Sequence, residues 1–110
     1  MQEGTTGVLI FPGLWDWYEI TTDPNDLAKL QEIVGGYIEG VPTLGAPLTV
    51  FVNEDGIARG YKPSAVHASL GVLLGPVLVF GPPDADGNVT PLDEDGLLKA
   101  KALLAPLGKL

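Results

Sequence analysis

Apolar positions along this chain fall into short runs, cut by Gly and Pro, with two different spacings. "GVLIFPG" (Gly7 to Gly13) is an apolar run closed by Pro-Gly, which predicts a buried strand followed by a turn. "WDWYEITT" alternates in part and predicts a returning strand, so the N-terminal region reads as a hairpin. The spacing then changes. In "TTDPNDLAKLQEIVGG", Leu27, Leu30 and Val34 follow the i, i+3, i+7 stripe of an amphipathic helix. Asp23 is the expected N-cap, with Pro24 at the first helical position, Asp26 in the first turn and Gly35 as a left-handed C-cap.

"YIEGVP" reads as a strand ending at Pro42, and "LTVFVNEDGIARGY" as a hairpin with first arm Leu48 to Val52 and "NEDG" as its turn. "KPSAVHASLG" shows neither period and reads as a loop with one helical turn. "VLLGPVLVFGPP" is almost wholly apolar. Gly75-Pro76 marks a break in it, and Val77 to Phe80 is the expected central strand, buried on both faces. "DEDGLLKAKALLAPLGKL" closes the chain as a helix capped by Asp93, weakened by Gly96 and bounded by Pro106. The order β-β-α-β-β-β-β-α predicts one α+β domain, residues 8–110, with two helices on a mostly antiparallel sheet and residues 1–7 as a flexible tail.

Composition narrows the function classes. The chain has 110 residues, enough for one core, and no Cys, so disulfides, thiolate metal sites and a Cys nucleophile are excluded. No apolar run approaches the roughly 20 residues that span a bilayer, and the N-terminus does not read as a signal peptide, so a cytoplasmic protein without membrane contact is expected. Fourteen acids against six bases give a net charge of −8, which argues against direct nucleic-acid binding. It allows docking on a basic partner, or mimicry of nucleic acid.

The pair Gly35-Gly36 invites comparison with a phosphate cradle. Anions bind at helix N-termini, however, and these glycines follow a helix, where carbonyls and the negative end of the dipole lie. A cap and turn is the better reading. "LQEIVGGYIEGVP" followed by "VFVNEDG", with the later "VLVFGP" and the acidic helix start "LDEDG", resembles domain of unknown function 3846 over roughly residues 8–104. The chain departs from that pattern at "YKPSAVHAS". The resemblance carries no reaction, cofactor or catalytic residue. It implies a context, that of small accessory proteins common in phages and other mobile elements.

Two aromatic segments are the candidate sites. "WDWY" places Trp15, Trp17 and Tyr18 beside a turn, as partner-binding residues for a host or phage protein. The plainer reading of the indoles is core packing. "RGYKP" holds the one cluster of positive charge, Arg59 and Lys62 around Tyr61, which could grip a nucleotide or another small molecule at the interface of a homo-oligomer. Asp84, Asp86, Asn88 and Asp95 match positions 1, 3, 5 and 12 of a calcium loop. Val89 replaces the required Gly, however, and Pro82-Pro83 replace the preceding helix, so a turn is expected, with no metal and no cofactor. His67, with Ser64 and Ser69 near it, shows no spacing that makes a catalytic set. The expectation is therefore a non-enzymatic binding protein, with a small-ligand binder as the alternative.

Overall fold

The computed structural model describes residues 1–14 and 16–107. Its elements are β1 (Gly7–Ile10), β2 (Tyr18–Ile20), α1 (Leu27–Val34), β3 (Ile38–Gly40), β4 (Thr49–Asn53), β5 (Pro63–His67), β6 (Gly71–Leu74), β7 (Val77–Phe80), α2 (Glu94–Leu103) and β8 (Leu104–Pro106). All strand pairs are antiparallel, in a five-stranded sheet ordered β2-β1-β7-β4-β3 and a three-stranded sheet ordered β6-β5-β8. The fold is α+β.

Strand alternation divides the core into two clusters, one on each face of the large sheet. Val8, Ile10, Val50, Val77 and Val79 join Ala65, Leu92, Ala100, Leu103 and Leu104, which come from the small sheet, α2 and the loop before it. Leu78 and Phe80 point the other way, onto Leu30 and Val34 of α1, with Phe51 against Phe80 at 6.4 Å between ring centroids. The order of layers is α1, large sheet, then small sheet with α2. Strand β7 is buried at all four positions, as the unbroken run "VLVF" predicts. Full burial of each such side chain is worth about 1.5–3 kcal/mol, so this strand anchors both clusters.

Local differences from the expected elements have local causes. Helix α1 is capped by Asp26, whose side chain accepts from Lys29 N, and not by Asp23. Asp23 instead closes a turn of its own, accepting from Asn25 N at 2.9 Å, and buried Pro24 lies within it. The Asn25 amide then pairs with both backbone groups of Val89, at 2.9 and 2.8 Å, and ties this turn to the 84–90 loop.

"NEDG" does not turn a hairpin. Asn53 Oδ1 accepts from Asp55 N and Arg59 N donates to Asp55 O, so residues 54–60 coil into successive turns. The strand that follows is β5, in the stretch expected as a loop, and it pairs with β6. The chain also does not end in a helix running to Pro106. Leu104–Pro106 leave α2 in extended conformation and pair with β5 as an edge strand, where Pro is tolerated. Ahead of β1, Thr6 N donates to Ile20 O, and Leu92 N donates to Thr6 O. Among the described residues no helix is long and apolar enough to cross a membrane.

Candidate functional site

The two aromatic segments lie in opposite circumstances. The first is the connection between β1 and β2. Leu14 N donates to Phe11 O across the Pro-Gly turn, and Tyr18 Oη donates to Leu14 O at 3.4 Å. Phe11, Leu14 and Tyr18 are 41%, 52% and 41% exposed, so this one connection turns three large apolar or aromatic side chains toward solvent. Trp17 does not share that exposure. It is half-buried against the cluster that holds Val8 and Ile10. Trp15 lies outside the described residues. Next to Tyr18, Glu19 accepts from Thr5 Oγ1 and Gln2 N, both at 2.7 Å. The Thr5 bond first, then the Gln2 bond, hold its carboxyl below the usual glutamate range.

The second segment lies at the C-terminal end of α1. Gly35 takes the left-handed conformation at φ 81°, and the N–H groups of Gly35 and Gly36 both donate to Gln31 O. That leaves Val34 O among the terminal carbonyls that the helix itself cannot satisfy. Asn53 Nδ2 donates to it at 3.0 Å and Tyr61 Oη at 3.4 Å. Asn53 is only 4% exposed, and its other amide atom is used by Asp55 N. The Tyr61 ring is seated between two glycines. A Cβ at Gly35 would stand 2.5 Å from Tyr61 Oη, and one at Gly75 would stand 2.5 Å from Tyr61 Cδ2. Gly75 also has φ 77°, open to Gly at little cost.

The Arg59 guanidinium lies beside Gly36, 3.4 Å from where a Cβ would be, at the negative end of the helix dipole. The glycine pair is therefore a cap and an aromatic seat. Of the residues expected to hold a small molecule, Arg59 and Tyr61 come together here with structural partners. Lys62 is exposed at the start of β5, its carbonyl accepting from Gly75 N. Asn53 is the residue that sequence reasoning passed over, because an Asn before Glu-Asp-Gly reads as a turn former.

His67 is buried, with Nε2 at 2.7 Å from Pro42 O and Nδ1 accepting from the N–H groups of Ser69 and Leu70. These partners occupy both ring nitrogens and leave neither for a substrate. Ser64 Oγ donates to Leu73 O and not to His67. In the 84–90 loop, Asp84 Oδ1 accepts from Asp86 N and Asn88 N, closing a tight turn. A hollow of about 460 Å³ is lined by Leu44, Ala46, Pro47, Ala102 and Leu103 with Lys99 at its side. Lys99 is already paired with Asp95 at 2.8 Å, which raises its pKa, and the hollow lacks the convergent polar groups of a small-molecule site.

No curated protein and no solved structure matches the chain. A family model does, over residues 5–104, which take in every element from β1 to α2. The chain thus belongs to the family described as Domain of unknown function (DUF3846).

Proposed function

We propose that this is a non-catalytic accessory protein of a phage or mobile element, which works inside a bacterium by docking on a host or phage protein. The contact surface is the β1–β2 tip, centred on Phe11, Leu14 and Tyr18. One observation carries the reading: these three side chains are exposed on one connection, while the other aromatic candidate, Tyr61, is half-buried in a seat between Gly35 and Gly75. Exposed Tyr and Phe on a turn supply contact area at low entropic cost and are typical interface anchors. Trp17 supports the tip from behind and is not itself the contact. The net charge of −8 favours a basic partner surface around this apolar centre.

The test is site-specific photo-cross-linking from position 18 in host cells, with position 37, another exposed tyrosine, as control. The reading expects a protein trapped from position 18 alone. Once purified, that protein should bind the chain directly and lose at least about tenfold in affinity for the Leu14→Ser/Tyr18→Ser variant. Equal trapping from both positions, or unchanged binding of the double variant, overturns it.

A further inference from the structure

Four strands form the edges of the two sheets: β2 and β3 on the large one, β6 and β8 on the small one. An exposed edge pairs readily with another chain unless a charge or a proline blunts it. Strand β2 carries Glu19, β3 carries Glu39, and β8 carries Pro106. Strand β6 is Gly71-Val72-Leu73-Leu74, with neither. Its Val72 is 53% exposed, and Ile57, on the neighbouring turn, is 86% exposed.

Beside β6 runs a groove of about 200 Å³, lined by Val52, Ile57, Val72 and Leu74 and by the carboxylate residues Glu39 and Glu54. Neither carboxylate has an ion pair among the described residues, whose ion pairs join Met1 to Glu94, Lys29 to Glu32 and Lys99 to Asp95. The 54–60 turn meets the Leu74 end of the strand, where a Cβ on Gly56 would lie 3.5 Å from Leu74 O. The open length is therefore Gly71 to Leu73.

We infer that β6 is a strand-addition site for an extended segment of a partner protein in which apolar residues alternate with Lys or Arg. Backbone pairing with β6 supplies the register. The period of two along the added strand lays its apolar side chains on the floor at Val72 and Ile57 and turns its cations to the opposite face, from which their long stems reach the rim carboxylates Glu39 and Glu54. Charge complementarity selects this occupant, because two carboxylates with no ion pair among the described residues flank an apolar floor on a chain of net charge −8. The surface is separate from the β1–β2 tip, since the strand that it offers belongs to the small sheet, and it stands or falls independently of the function proposed above.

The test uses the full chain and three short labelled peptides: one alternating lysine and valine, one alternating glutamate and valine, and a lysine–valine peptide with a central proline. Fluorescence anisotropy reads binding, and amide hydrogen exchange locates it. The lysine–valine peptide should bind and slow exchange within residues 71–73. Binding should weaken about tenfold in Glu39→Gln/Glu54→Gln. The glutamate and proline peptides should bind at least about tenfold more weakly. Equal binding of the proline peptide means attraction by charge alone and overturns the proposal, as does protection elsewhere in the chain or no binding by any peptide. A concentration-dependent dimer abolished by Val72→Lys overturns it as well, since a second copy would then be the occupant.

Discussion

The two aromatic segments, Trp-Asp-Trp-Tyr and Arg-Gly-Tyr-Lys-Pro, look alike in sequence: each sets aromatics beside charge next to a turn. In the folded chain they do opposite work. Tyr61 is held by Gly35, Gly75 and the last carbonyl of α1, all distant in sequence, so its ring belongs to the scaffold. Tyr18 touches its own turn, through Leu14 O, and keeps much of its ring in solvent. What separates the seated ring from the exposed one is the presence of a prepared seat elsewhere in the chain. Composition within the segment does not reveal it.

That contrast can be broken from the scaffold side first. Gly75→Val should cost about 3 kcal/mol. It sets a β-branched residue at φ 77° and drives a Cβ into the Tyr61 ring. Denaturant unfolding with an unchanged m-value checks it. Asn53→Ala should cost about 1–3 kcal/mol, because it strips the buried Val34 carbonyl of its shorter hydrogen bond and leaves Asp55 N without its acceptor. The same titration reads it. Tyr61→Phe should cost about 0.5–1 kcal/mol, since the bond that it deletes is long and the ring remains seated; its melting temperature should fall between those of the parent and Asn53→Ala.

On the tip side the expected effects are smaller. Glu19 titrates below its ordinary value of 4.5 in the folded chain. A depressed carboxyl stabilises the fold above its unfolded-state pKa and loses that contribution as the pH falls through the lower folded-state value. Stability should therefore decline slightly from pH 4.5 downward, and Glu19→Gln should flatten that part of the profile in thermal melts taken across this range. The group is fully exposed, so the slope is shallow.

Much of the architecture could be read from patterning because it rests on local rules. The run Val77–Phe80 has no polar position, which suits only a strand covered on both faces. Gly35 caps α1 by its left-handed backbone, and Asp93 caps α2 through a side-chain oxygen that accepts from Gly96 N, both local devices. Strand β5 was hidden because its buried positions are Ser64, Ala65 and His67, small or polar residues without the usual strand signature. They fit only because β5 lies inside the small sheet, where His67 is satisfied by Pro42 O and by the turn after it. Strand β8 was hidden because Leu104 and Pro106 continue the apolar character of α2. At the candidate sites, the exposure of Tyr18 and the engagement of Tyr61 depend on contacts across 4 and 27 residues of chain respectively. Only the shorter of these is a local matter.

The most direct test of the contrast is urea unfolding of Tyr61→Ala beside Leu14→Ser/Tyr18→Ser in one buffer. The account predicts that Tyr61→Ala loses about 2–4 kcal/mol as its seat empties, while the tip variant stays within about 0.5 kcal/mol of the parent. A tip variant that unfolds as early as Tyr61→Ala, or a Tyr61→Ala chain as stable as the parent, would contradict it.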